Sequence, residues 1–256
     1  GDDPVIQELL PEISRPVITY GFGEGNDYRA EQITQDKTHT RFIVKGKLLK
    51  DKLDVDELPI ALNMPGKHNV LNSLAAIAVA VDEDVAAGAI QSGLEIFQGV
   101  GRRFQVYGDY LVSDGDVSGE AMLVDDYGHH PREVQATIQA VRDGWVGRRL
   151  VMIYQPHRYT RTRDLYEDFV DVLSRVDVLI LLDVYPAGEE PIAGADSRHL
   201  SRSIRTRGQI DPIFVEGIDG VPDIIKDIVK PGDIVITQGA GTVGSLAAIL
   251  ANRKLS

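Results

Sequence analysis

The stretch "AMLVDDYGHHPREVQATIQAVRDGWVGRRLVMIYQP" (residues 121–156) decides how the chain is read. An apolar run, "AMLV" (121–124), enters a polar turn, "DDYGHHP" (125–131). Pro131 then opens "PREVQATIQAVRDGW" (131–145). Proline suits the first helical turn, where its missing N–H would have no intrahelical partner. "RRLVMIYQP" (148–156) follows as a second apolar run. The pattern predicts strand, helix, strand. The strands are apolar on successive residues rather than alternate ones, as in a parallel sheet covered on both faces.

The same rhythm continues to the end. Helices are predicted over 162–176, 197–208, 221–229 and 244–254, and strands over 177–186, 211–216 and 233–238. In the first of these helices Leu165, Phe169, Val172, Leu173 and Val176 share one side. A strand-like segment (104–113) and a polar loop (113–120) precede the alternation. The expected fold is α/β, a doubly wound, mostly parallel, Rossmann-like sheet over residues 101–256. Upstream, "RPVITYGF" (15–22), "DYRAEQI" (27–33), "THTRFIVKG" (38–46) and the start of "LPIALNMPGKHN" (58–69) read as strands. Segments 69–84 and 84–97 read as helices. "QGVGRRF" (98–104) breaks the pattern with glycines and arginines, so a first domain is placed at 1–100.

Composition narrows the function. With 27 basic and 39 acidic residues the net charge is -12, which argues against a nucleic-acid or anionic-membrane surface. Cysteine is absent from the sequence, which excludes disulfides, thiolate metal sites and cysteine nucleophiles. A reducing cytoplasm is compatible and is the expected location. The longest apolar run, "LAAIAVAV" (74–81), is far short of the ~20 residues of a membrane-spanning helix.

Chemistry collects where such sheets bind ligands, beyond the carboxyl ends of strands. "DDYGHHP" is one such turn, and "QPHRYTRTRD" (155–164), with His157, Arg158, Arg161 and Arg163, is the next. The two are expected to flank one cleft, one offering carboxylates and imidazoles, the other guanidinium forks suited to carboxylates and phosphates. Asp126, Tyr127, His129, Arg158 and Arg161 form the candidate site. Asp125 reads equally as an N-cap, His130 as packing beside Pro131, and Arg163 as a solvated first-turn residue. "GAGTVG" (239–244) fits a dinucleotide fingerprint, but the acidic residue ~20 positions later is missing, which favours a tight strand–helix turn with a weak anion site. "PGKHN" (65–69) is not a P-loop, because His68 follows Lys67. Asn69 and Asn72 share a helix face there; Asn69 as N-cap, or both amides reading a flat heterocycle such as adenine, are the two readings.

Taken in order, "PGKHNVLNSLAAIAVA", "GVGRRF", "DDYGHHPREVQATI", "QPHRYTRTRDLYEDF" and "VYPAGEEPIAGADS" resemble the Mur ligases. The likeness is strongest to the branch that joins L-alanine to UDP-N-acetylmuramate. The resemblance implies that residues 1–100 are the last part of a central ATPase domain and 101–256 the C-terminal domain. The N-terminal domain and the P-loop half of the ATPase domain would lie outside this chain, so the chain alone is expected to be inactive. It implies ATP and Mg²⁺ as cofactors, an acyl-phosphate route, and UDP-N-acetylmuramate and L-alanine as substrates. Residue by residue, Asn69 and Asn72 would contact adenine, Arg102 the ATP phosphates, and Asp126 the ribose or the Mg²⁺ environment. Tyr127, His129, Arg158 and Arg161 would form the amino-acid pocket, with His129 helping the amine lose its proton. No residue is assigned as a direct metal ligand. A murein tripeptide ligase and a non-catalytic nucleotide-binding module are the alternatives.

Overall fold

The computed structural model describes residues 1–255. They divide into two compact units, Gly1–Gly99 with Asp143–Trp145, and Val100–Arg142 with Val146 onward.

In the first unit the described residues form a four-stranded sheet in the order β1 (Tyr20–Gly21), β2 (Tyr28–Asp36), β3 (His39–Lys45), β4 (Glu57–Leu62). The β1–β2 pair is parallel and the rest antiparallel. Helix α1 (Pro4–Leu9) precedes the sheet, and α2 (Lys47–Leu53) connects β3 to β4. After β4 come α3 (Lys67–Asp82) and α4 (Ala87–Ile96). Val70, Leu74, Ile77 and Val81 lie on one stripe of α3 and pack with Tyr28, Phe42, Val44, Leu58 and Ile60. The strand expected over 15–22 shrinks to Tyr20–Gly21. The Asp27 carboxylate accepts the Thr19 amide at 2.8 Å, taking the place of a ladder bond.

In the second unit the described residues build a six-stranded sheet. Its strands in chain order are β5 (Gln105–Asp114), β6 (Val117–Asp126), β7 (Leu150–Tyr154), β8 (Val178–Leu182), β9 (Ile213–Val215) and β10 (Ile234–Gln238). Its helices are α5 (Pro131–Gly144), α6 (Tyr159–Asp164), α7 (Tyr166–Leu173), α8 (Ser197–Arg207), α9 (Val221–Ile228) and α10 (Val243–Asn252). The spatial order is β5-β6-β10-β7-β8-β9. Apart from the antiparallel β5–β6 pair, neighbours run parallel. Every residue of β7 and β10 is buried. Each such Val or Ile contributes about 1.5–3 kcal/mol through its removal from water.

Two sequence expectations change. Residues 113–120 are not a loop: Asp114 and Val117 pair, and only Gly115 and Asp116 turn the chain. Gly115 takes the positive φ (60°) that a two-residue hairpin turn requires. Residues 117–120 (Val-Ser-Gly-Glu) are the largely exposed start of β6, on a hairpin at the sheet's edge. The helix expected over 162–176 is two helices, broken at Leu165 (φ -115°).

The placement of β10 between β6 and β7 creates the site. Helices α9 and α10 pack on the face carrying Leu123, Val151, Ile153 and Val235. On the other face Phe169 of α7 meets Tyr154, their rings 5.9 Å apart, and Thr137 of α5 reaches Asp126. The chain therefore leaves β10 toward one face and leaves β6 and β7 toward the other. A crevice opens at the carboxyl ends of these three strands.

Candidate functional site

Asp125 and Asp126 end β6 and, as successive strand residues, face opposite sides of the sheet. Asp125 is fully buried. Its Oδ1 accepts the Thr237 hydroxyl (2.7 Å) and its Oδ2 the Arg102 Nε (2.8 Å). Burial pushes its carboxyl above the usual range, against the opposing pull of Arg102 and Thr237. Asp126 is also buried and accepts four donors. Oδ1 takes the Gly128 amide (2.8 Å), the Thr137 hydroxyl (3.2 Å) and the Gln238 amide (2.9 Å); Oδ2 takes the Phe104 amide (2.9 Å). Asp126 thus ties together the Phe104 segment, β10, α5 and its own turn.

The turn itself is built from backbone donors. Glu133 Oε2 accepts the amides of His129 (2.9 Å) and His130 (3.0 Å), a reach back from the third helical position that caps α5. Burial opposes the charge on Glu133, but these two donors, with His129 and Arg103 nearby, hold it below the usual carboxylate range. A Cβ on Gly128 would stand 2.7 Å from Asp126 Oδ1 and from Gln238 Nε2, so only glycine fits.

Arg102 has a left-handed backbone (φ 62°). Its guanidinium bonds Asp125 and the Gly239 carbonyl (2.6 Å) and lies 5.1 Å from the centre of the Tyr127 ring. Arg103 flanks the same ring at 5.4 Å. From Tyr127 a row of rings leads inward: Tyr127 to His129 at 5.4 Å, His129 to His157 at 5.6 Å, His157 to Tyr185 at 5.3 Å. His129 Nδ1 lies 3.2 Å from the Tyr127 carbonyl. Arg161 donates to the His157 carbonyl at 3.1 Å, and Arg158 sits 3.5 Å from Glu189. Burial, then the charges of His129, Arg161 and Arg158, push the His157 imidazole below its ordinary value.

The "GAGTVG" turn follows β10 and is locked from the β7 side. Gln155 Oε1 accepts the Val243 amide (2.9 Å), and its Nε2 donates to Thr242 Oγ1 (3.0 Å). Gly239 (φ 141°) lets the backbone pass Gln155, whose carbonyl would stand 2.6 Å from a Cβ there. The first amide of α10 is thereby spent on protein.

The structure brings Arg102, Asp126, Tyr127, His129, Arg158 and Arg161 into the second unit, and its contacts join the β6 and β7 turns through His129 and His157. The two strands are not neighbours, since β10 separates them. Asn69 and Asn72 lie in the first unit. Asn69 is buried, its amide donates to the Pro65 carbonyl (2.8 Å), and Asn72 donates to Asn69 Oδ1 (3.4 Å). Three donors fill Asp126 Oδ1, and Oδ2 takes the Phe104 amide alone, so what room remains for a ribose hydroxyl or a hydrated Mg²⁺ is on Oδ2. Among the described residues no group of three His, Asp or Glu side chains is arranged to hold a metal ion, and no helix is long and apolar enough to cross a membrane. Sequence reasoning gave no role to Gln155, Glu133, Tyr185, Glu189 or Gln238. Of these, only Glu133 carries a local signal, its position three residues after the cap.

Residues 102–241 match the Mur ligase, glutamate ligase domain, and residues 1–80 match the Mur ligase middle domain. Solved structures share the fold. One is a UDP-N-acetylmuramate-alanine ligase, MurC, of Thermotoga maritima (24% identity, TM-score 0.72, 92% of this chain and 47% of that one). A murein peptide ligase of Psychrobacter arcticus is similar at 21% identity and TM-score 0.62, over 100% of this chain and 50% of that one. MurF ligase of Thermotoga maritima, solved with ADP, matches at 16% and 0.69, over 99% and 52%. The chain spans about half the length of these relatives.

Proposed function

The chain belongs to the Mur ligase family of ATP-dependent amide-bond ligases, and on that premise we propose that the protein joins L-alanine to the carboxylate of UDP-N-acetylmuramate. The reaction would run through an acyl phosphate and serve peptidoglycan precursor synthesis in the cytoplasm. What supports this reading is one contact, the packing of the His157–Arg161 loop on the Tyr127–His129 turn, with imidazole rings 5.6 Å apart. It brings His129 against His157, whose loop carries Arg158 and Arg161, a natural receptor for a small zwitterion.

Each group then has a task. Arg158 and Arg161 receive the amino-acid carboxylate, since guanidinium forks match that group's geometry. His129 Nδ1 faces the Tyr127 carbonyl, an acceptor, so Nδ1 carries the proton. Its Nε2 lone pair is then the acceptor for the ammonium proton that must leave before the amine attacks. Tyr127 fixes His129 edge-on. Arg102, held by Asp125 and Gly239, offers positive charge to the nucleotide's phosphates. When bound, ATP would supply the phosphoryl group that turns a poor acyl acceptor into a reactive one. Asn69 and Asn72 are the adenine contacts that the family resemblance implies. Asp126 organises the turn, and no step is routed through Mg²⁺.

The test is ADP release by the full-length protein with ATP and UDP-N-acetylmuramate, comparing L-alanine with murein tripeptide, with this chain alone as control. Turnover by the full-length protein with L-alanine only is the expected result. Turnover with tripeptide only would transfer the protein to the recycling reaction. Turnover by neither overturns the reading, and turnover by the isolated chain overturns the division of parts.

A further inference from the structure

The geometry points to Glu189 as a positioning residue for the acceptor pocket, one that acts by fixing Arg158. The segment 185–189 is strapped onto the β7 loop. The Tyr185 amide donates to the Pro156 carbonyl (2.8 Å), and the Arg158 amide donates to the Tyr185 carbonyl (2.8 Å). The Tyr185 ring stacks on His157 at 5.3 Å and 20°. Glu189 closes the strap. Its Oε2 accepts the Thr160 amide (3.0 Å), and its Oε1 accepts the Thr160 hydroxyl (2.6 Å) and lies 3.5 Å from Arg158 Nη1.

Arg158 needs such support. Its backbone sits at φ 74°, a conformation that side-chain-bearing residues hold only when their surroundings impose it. Its side chain is about half exposed (49%), whereas that of Glu189 is 19% exposed. A long, mobile side chain loses rotamer freedom when it grips a ligand. The carboxylate of Glu189 restricts it beforehand. Because a guanidinium carries five donors in a planar fork, Glu189 can hold one edge while another meets the substrate. The donors from Thr160, followed by the charge of Arg158, keep Glu189 below the usual carboxylate range, so the contact is charged at neutral pH.

The acceptor readout rests on the function proposed above, and the experiment separates the two. Glu189→Gln keeps an acceptor for the Thr160 amide, removes the charge, and sets an NH2 donor in place of the oxygen that faces Arg158. In the full-length protein it should raise the acceptor KM by about tenfold while kcat and the KM for ATP move less than about twofold. Thr160→Val, which removes the hydroxyl and keeps the charge, should raise the acceptor KM less. Independently of turnover, the Arg158 Nε–H, followed by nitrogen-15 NMR, should exchange with water several-fold faster in Glu189→Gln than in the parent. An unchanged acceptor KM together with unchanged Arg158 exchange overturns the proposal. So does an equal loss in every kinetic constant with a lowered melting temperature, because that marks a purely structural residue. If the parent protein turns over no acceptor, the ligase reading falls, and Arg158 exchange alone decides the role of Glu189.

Discussion

The turn after β6 and the loop after β7 face each other across His129 and His157, yet they are built in opposite ways. The β6 turn is held from many sides by its carboxylates: buried Asp126 takes four donors, buried Asp125 two, and Glu133 the two amides of His129 and His130. The β7 loop carries half-exposed arginines on a strained backbone and is held from outside by the 185–189 strap. One side is a rigid frame and the other an adjustable grip. A ligand site needs both, since the frame fixes the direction of the reacting groups and the grip selects what enters. Substitutions should therefore sort cleanly. Changes in the β6 turn should cost stability, and changes in the β7 loop should cost acceptor affinity.

The largest effect belongs to Asp126. Asp126→Ala leaves the Phe104 and Gly128 amides without their acceptor in a buried place, and leaves the Thr137 hydroxyl only the Glu133 carbonyl and the Gln238 amide only Thr137 Oγ1. The cost should be about 3 kcal/mol or more, because each abandoned buried donor carries its own desolvation penalty. For a chain of this size that is a fall of roughly 6–12 °C in melting temperature. A melting curve within a degree of the parent would break the contrast. Gly128→Ala probes the same frame by crowding. Its Cβ would meet Asp126 Oδ1 and Gln238 Nε2 at 2.7 Å, neither of which is free to move. Overpacking should cost about 1–3 kcal/mol, read by urea denaturation. A neutral result would show that the turn is less rigid than its bonds suggest.

Arg161→Ala examines the grip. Arg161 touches only His157, at its carbonyl (3.1 Å) and its Nδ1 (3.4 Å), so stability should change by less than about 1 kcal/mol. The acceptor KM of the full-length protein should rise by about 10- to 100-fold, because a charge-assisted fork is lost. Equal losses of stability and affinity would erase the distinction between frame and grip.

How much of this could be read in the sequence depended on the range of the contacts. Strands β6, β7 and β10 were legible because continuous runs such as "LVMIY" and "IVITQ" admit few other burial patterns. The residues of the β6 turn were legible because their chemistry is contiguous. The insertion of β10 between β6 and β7 was not, since periodicity reports which faces are covered and says nothing of which strand lies beside which. The β5–β6 hairpin was hidden by polar residues that face outward, although Asp114-Gly115 carried its turn signal. Glu189 reaches Thr160 across 29 positions, and Gln155 reaches Val243 across 88. No local pattern encodes such pairs. The sequence does not name the carboxylate partner of either arginine, and the structure pairs Arg102 with Asp125 and Arg158 with Glu189.

The smallest effect is a pH dependence at the seam between frame and grip. His157 stacks on Tyr185, faces His129, and has Arg161, Arg158 and Glu189 around it. Burial and the neighbouring positive charges lower its pKa below the ordinary 6.5, with only Glu189 pulling the other way. In the folded protein the neutral imidazole is thus favoured. Above pH 6.5 both folded and unfolded chains hold it neutral, and it contributes nothing to the pH dependence. As pH falls through 6.5 the unfolded chain takes up the proton first, so stability declines until the folded pKa is also passed. His157→Gln removes this linkage. The difference in unfolding free energy, parent minus variant, should therefore decrease from pH 7.5 to pH 5 when measured by urea denaturation. Taking the difference cancels the carboxylates that titrate in both proteins. A flat difference would mean that solvent reaches the imidazole freely, and a rising one that Glu189 outweighs the arginines; either would place His157 in the adjustable loop and outside the frame.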